Sequence, residues 1–151
     1  MAAEIVDIVA ALVAELNDTY GDKHIVKHAY STGSLWKLGE ESEVDRDRIR
    51  IYVVPVSAPR QEHTRSSELV SPEIHVAVAR FSPHADDQDD AVTLAVDILK
   101  AYRRRTFAIG TNTARVTQAE HDVIASRETL DQFQVLISVV RLRLTMEVDH
   151  G

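Results

Sequence analysis

The sequence predicts an α+β fold: a mainly antiparallel sheet of roughly four to five strands, two helices packed on one face, and a long projecting hairpin loop. Two segments repeat their apolar residues at helical spacing, whereas several others alternate apolar and polar residues as strands do. The 151 residues, 44% hydrophobic and 27% charged, suit one globular domain with a single core. No repeat, low-complexity tract or linker divides the chain, so we assign residues 1–151 to one domain.

The first helix is predicted from the N-terminal segment, where apolar residues recur three and four positions apart. This pattern runs from Ile5 to Leu16 and places the apolar residues on one helix face. We expect the helix to end near NDTYG, because Asn17, Asp18 and Gly21 favour turns and helix C-caps.

A short strand, KHIVKHAY, and a polar connection, STGSLWKLGEESEVD, come next. Three large apolar residues interrupt the connection, and we expect them to fold back onto the domain: Leu35, Trp36 and Leu38.

A second strand is predicted from the alternation in DRDRIRIYVVPV, where Ile49, Ile51 and Val53 form the core face. The other face of that strand carries three arginines: Arg46, Arg48 and Arg50. Such a face can contact phosphates or a partner, or it can be solvated and paired with neighbouring acidic residues. The net charge of −7 argues against generic nucleic-acid binding, because domains that neutralise phosphates are usually basic. We therefore assign these arginines to an interface with another protein subunit.

Residues 57–72, SAPRQEHTRSSELVSP, form a long predicted loop before the strand EIHVAVARF. Two prolines, four serines and few apolar side chains indicate that this loop cannot bury itself. Loops longer than about 12–15 residues in a compact domain are usually functional or disordered, and we expect this one to be mobile until it binds a neighbouring chain. Its charged residues are the main candidates for a partner interface: Arg60, Glu62, His63, Arg65 and Glu68.

A second helix is predicted from DDQDDAVTLAVDILKAYRRR, residues 86–105, which has acids at its start and bases at its end. Carboxylates in a first turn meet unpaired amides and the positive end of the helix dipole, each contributing about 0.3–1 kcal/mol. A calcium-binding loop would need a central glycine and a terminal glutamate, which this segment lacks. We interpret both charge clusters as stabilisation of the helix ends.

Two further strands are predicted from TARVTQAEHDVIAS and DQFQVLISVVRLRLTMEV. The apolar phase of the last strand changes between Val139 and Val140. Either a β-bulge or a move to a second packing surface would explain this change.

No motif for catalysis, cofactor binding or metal binding is present in the sequence. The chain has no cysteine, no HExxH pair, no GxSxG nucleophile elbow, no phosphate-binding GxxxxGK[ST] and no GxGxxG turn. We expect the seven histidines to lie at the surface, and no apolar run reaches the roughly 20 residues that span a bilayer. The sequence therefore predicts a protein that is not an enzyme, needs no cofactor or metal and does not enter a membrane.

The order of elements, the second helix DDAVTLAVDILKAYRRR and the closing ETLDQFQVLISVVRLRLTMEV resemble the tail terminator and minor tail proteins of tailed bacteriophages. The resemblance extends over residues 5–148. It implies a structural virion protein, made in the bacterial host cytoplasm, that forms a homohexameric ring at the head-proximal end of the tail tube. Such a ring stops tube growth and joins the tail to head-completion proteins. It also implies that residues 57–72 reach neighbouring subunits or the tube, and that DNA passes through the lumen without sequence-specific binding.

Two alternatives remain at this stage. The chain could be a head-completion or connector protein of the neck, or, in a different class, a small soluble enzyme that lacks a recognisable motif.

Overall fold

The computed structural model of the chain describes residues 4–42 and 46–149. The elements follow one another as α1 (Glu4–Tyr20), β1 (Ile25–His28), a 3₁₀ helix (Leu35–Glu40), β2 (Arg50–Ser57), β3 (Arg60–Thr64), β4 (Ser67–Val70), β5 (Glu73–Phe81), α2 (Ala85–Tyr102), β6 (Thr106–Ile109), β7 (Asn112–Asp122), α3 (Arg127–Phe133) and β8 (Val135–Asp149).

The fold is α+β, as predicted, but its sheet is larger than expected and mixed. The described residues form eight strands instead of four to five, and β1 runs parallel to β2 whereas the other pairs are antiparallel. Three short strands account for the difference: β3 and β4 lie inside the polar segment 57–72, and β6 pairs with β7 across a turn at Gly110. That turn needs a positive φ, and Gly110 has φ 61°.

Strands β2 and β3 form one interrupted strand, and so do β4 and β5. The amide of Ser71 donates to the carbonyl of Pro59 at 2.9 Å, which links the two hairpin segments across their interruptions. Strand β8 pairs with both parts of the second strand, because it meets β5 through Val135–Arg143 and β4 through Met146–Asp149. Pro59 and Pro72 lie at the interruptions, where proline lacks the amide hydrogen that a continuous ladder requires. The predicted loop is therefore the outer part of a long β-hairpin and is not an unstructured loop.

The two long helices pack on one face of the sheet. Leu12 of α1 and Ile98 of α2 are fully buried in the main core, together with Val76 and Val78 of β5. Helix α1 contacts β1 and β2 at one end of the strand order and β6 at the other end. Because one helix contacts strands at both ends of the sheet, the sheet curls around it.

The opposite face of the sheet is partly covered by the 3₁₀ helix and α3. Leu35 and Leu38 are buried there against Ala77 and Ala79, so the polar connection folds back onto the domain as predicted. Trp36, however, remains 36% exposed. The prediction that helices lie on one face therefore holds for the two long helices and fails for the short ones.

Strand β8 changes its apolar phase because it has two packing surfaces. Its register against β5 continues without a bulge from Val135 to Arg143. Ile137 packs beneath the 3₁₀ helix, whereas Val140 and Leu142 belong to the main core. Of the two explanations considered for the sequence, the second packing surface is the correct one.

The acidic N-terminal part of α2 forms ion pairs with an arginine of strand β5. The guanidinium of Arg80 in β5 lies 3.3 Å from Asp87 and 3.2 Å from Asp90. The N-cap residue His84 makes no side-chain capping hydrogen bond. At the other end of the helix, Arg105 forms an ion pair with Glu15 of α1. These charges therefore connect α2 to β5 and α1 in addition to lying at the ends of its dipole.

Candidate subunit interface

The outer hairpin, β3 and β4, has a buried root and an exposed tip. Val70, at the root, is fully buried in the main core, and Ser67, the first residue after the turn, is only 1% exposed because β8 pairs with β4 along its whole length. The side chains of Glu62 and of residues 64–66 are exposed. The hairpin is therefore fixed by the buried Val70 and by the pairing of β4 with β8, and it presents the side chains of β3 and of the turn to solvent.

The five charged loop residues predicted to bind a partner all lie on this hairpin. Arg60, Glu62 and His63 are on β3, Arg65 is in the turn, and Glu68 is on β4. The side chain of His63 lies outside the part that the structure describes. The Arg60 Nε donates to the Glu68 Oε2 at 2.7 Å, so two of the predicted residues form an ion pair across the hairpin.

The three arginines placed on one strand face do not share a face. Strand β2 begins only at Arg50, and the amide of Arg46, which precedes the strand, donates to the Ser42 carbonyl. The guanidinium of Arg46 lies 5.4 Å from the centre of the Phe81 ring, and Arg48 is exposed. Arg50 is only 6% exposed and forms an ion pair with Glu41. The prediction of a shared arginine face is wrong, because the strand begins only at Arg50 and the 3₁₀ helix covers the sheet face on which Arg50 lies.

One edge of the described sheet, formed by the end of β2 and by β3, has no neighbouring strand. Strand β1 pairs with β2 only over Arg50–Val53, and the amide of Ala29 closes this ladder by donating to Val53 at 3.1 Å. Beyond Val53, neither the rest of β2 nor β3 has a strand partner on that side within the described ranges. Unpaired strand edges present backbone donors and acceptors that another chain can use.

An apolar groove lies where this open edge meets α1. We call it the α1 groove; its lining residues are Ile5, Val6, Val9, His28, Tyr30 and Pro55–Ala58, and its volume is about 220 Å³. Val6 is 42% exposed, Tyr30 72% and Val56 48%, which is unusual for side chains that gather in one place. A second apolar hollow continues along α1 past Ala10 and Val13.

A ladder of charged side chains crosses the sheet face that faces away from the long helices. Arg143 donates to Glu73 at 2.8 Å, and Arg141 lies 3.2 Å from Glu120 and 3.1 Å from Asp122. The hydrogen bond from Arg143 lowers the pKa of the Glu73 carboxyl. These side chains largely neutralise one another, so we do not assign them a ligand.

A cavity lined by titratable side chains lies between the C-terminal end of α1 and helix α2. Tyr20, Lys23 and His24 line it, and its volume is about 380 Å³. Burial lowers the pKa of His24, and the nearby charges of Arg80 and Lys23 lower it further. Within residues 4–42 and 46–149, no three His, Asp or Glu side chains are arranged to hold a metal ion. No described helix is both long enough and apolar enough to cross a membrane.

No protein-family model matches the chain, and no curated protein sequence is significantly similar to it. Sequence reasoning found the charged hairpin but missed the α1 groove. The available signal was weak: Tyr30 follows β1 and Val56 lies near the end of β2, and only the pairing of β1 with β2 brings them together.

Proposed function

We propose that this protein is a ring-forming structural subunit of a bacteriophage virion, the tail terminator at the head-proximal end of the tail tube. The observation that carries the proposal is the hairpin β3–β4, which is fixed by the buried Val70 and by the pairing of β4 with β8, while the charged side chains of β3 and the turn are exposed to solvent. The resemblance of the sequence to tail terminator and minor tail proteins supplies the assignment to a phage tail.

The hairpin suits contact with another copy for two physical reasons. Its outer edge along β3 lacks a strand partner in the described part of the chain, so a neighbouring chain could extend the sheet there. Its exposed charged side chains favour a partner with a complementary charge pattern. They therefore determine the register in which the partner binds more than the affinity of binding. A fixed root lowers the entropy that is lost when the tip binds.

In this role, six copies would close a ring that ends the growing tube and offers its other surface to head-completion proteins. Tail tube protein and a connector protein are then the partners besides the chain itself. DNA would pass through the lumen without sequence-specific contacts, which fits the net charge of −7.

The assembly state is tested by light scattering, native mass spectrometry and negative-stain microscopy of the full chain. Six copies of the 16.9 kDa chain give about 101 kDa, and we expect closed rings of this mass, alone or after addition of tail tubes. A protein that stays monomeric under both conditions would contradict the ring.

The role is tested by deleting the gene from its phage and imaging the lysate. A terminator deletion should give overlong tubes of variable length together with unjoined heads, and a plasmid copy should restore normal tails. Tails of normal length beside unjoined heads would instead favour a connector protein of the neck. Normal virions would refute both roles.

A further inference from the structure

We propose that neighbouring copies associate head to tail, with Trp36 and Phe133 of one copy seated in the α1 groove of the next. This inference rests on the proposed ring and names its subunit contact. We call the Trp36 and Phe133 pair the aromatic knob; its ring centres lie 5.1 Å apart.

The exposed large hydrophobic residues of the described chain are concentrated in two patches. Three line the α1 groove: Val6, Tyr30 and Val56. Two form the aromatic knob, where Trp36 is 36% exposed and Phe133 is 41% exposed. The remaining one, Val123, follows the end of β7. Exposed apolar clusters of this kind are typical of protein–protein contacts.

The two patches lie on opposite faces of the sheet. Val9 in the groove wall belongs to the core beneath α1, together with Val76 and Val78. Trp36 lies on the 3₁₀ helix, whose Leu35 and Leu38 pack on the other face. An interface between two different patches is heterologous and leads to a closed ring or an open filament, whereas a patch that binds itself gives a two-fold dimer. The arrangement therefore fits a ring.

Shape and charge favour the knob as the occupant of the groove. An apolar cavity of about 150 Å³ accommodates one benzene ring, so the groove of about 220 Å³ together with the adjoining apolar cavity of about 330 Å³ along α1 has room for two aromatic rings. The ammonium of Lys37 lies 5.3 Å from the centre of the Trp36 ring, so a positive charge lies beside the Trp36 part of the knob. Helix α1 has no Lys or Arg, and Asp7 is exposed beside Val6. Binding of groove to groove would bring two acidic helices together, which is electrostatically unfavourable.

Cysteine cross-linking tests this contact directly, because the chain has no cysteine of its own. We would prepare Val56→Cys and Phe133→Cys as separate variants and treat each alone, and then their mixture, with a short bis-maleimide. A matched control, Thr113→Cys, places an exposed cysteine on β7 away from both patches. Circular dichroism would confirm that each variant folds.

We expect a covalent dimer in the mixture, at least tenfold above the level in either variant alone or in mixtures with the control. A chain carrying both cysteines should give a ladder of covalent oligomers that ends at six copies. Adding Trp36→Glu to the Phe133→Cys chain should remove most of the mixed dimer.

Other outcomes overturn the inference. Cross-linking of Val56→Cys to itself would show that the groove forms a two-fold contact. A protein that forms rings by light scattering but gives no mixed dimer would refute this interface and leave the proposed function standing. A protein that forms no ring under any condition would refute the proposed function itself.

Discussion

Replacing Val70 by alanine should loosen the outer hairpin at its root. Val70 is the last residue of β4, is fully buried, and pairs with Met146 of β8. The substitution removes two buried methyl groups, which costs about 1.6 kcal/mol in lost transfer free energy. The cavity left behind raises the total loss to about 2–3 kcal/mol. For a chain of this length, that loss lowers the thermal midpoint by roughly 4–12 °C.

The matched control is Val56→Ala, which makes the same change where the side chain is 48% exposed. It should cost less than about 1 kcal/mol, because little apolar surface leaves a packed environment. Urea unfolding followed by circular dichroism measures both variants. Equal losses would show that β4 is not held in the core, and the argument for a hairpin fixed at its root would then fail.

Three further changes test the remaining structural features. Glu41→Gln should lower the free energy of unfolding by about 1–3 kcal/mol, because it leaves the buried Arg50 guanidinium without its counter-charge, and adding Arg50→Met should restore most of the loss in urea titrations. Burial lowers the pKa of His24 and of His121, so below pH 6.5 the unfolded chain binds more protons than the folded chain. The free energy of unfolding should therefore fall as the pH drops below that value. In unfolding measurements at pH 5–7, the His24→Asn variant should show a shallower fall of this free energy. Gly39→Ala should lower the thermal midpoint by several degrees, because the added Cβ would lie 2.9 Å from a phenylalanine ring carbon, and a midpoint equal to that of wild type would contradict the packing.

The helices and the central strands were predictable because their patterns are local. Helix α1 and strand β5 follow from apolar spacing alone, and both were found where the sequence placed them. The prediction for the second helix was likewise correct in position, at Ala85–Tyr102.

The outer hairpin was not predictable as strands, because its order comes from distant backbone partners. Strand β4 has only four residues, and it pairs with the end of β8, 76–82 positions along the chain. Arg50 was placed on an open strand face for a related reason, since the 3₁₀ helix that covers it comes from a separate segment. Composition and alternation describe neighbours in sequence, and both of these contacts are made by neighbours in space.

Of the candidate interface, the sequence predicted the charges but not the apolar surface. The charged residues of segment 57–72 stand out by composition, and they do lie together on one hairpin. The α1 groove is assembled from α1, β1 and β2, so no single segment contains its pattern. Whether either surface binds a partner stays a prediction.

The interrupted strands also determine how the hairpin would respond to mechanical load. Strand β8 is hydrogen-bonded along one edge to β5 and then to β4, so a pull on the tip along the strand direction acts on these bonds in parallel. Bonds loaded in shear must break together, whereas bonds at the end of a hairpin peeled sideways break one at a time. The same hairpin should therefore resist a pull along its strands more strongly than a force that peels β4 away from β8.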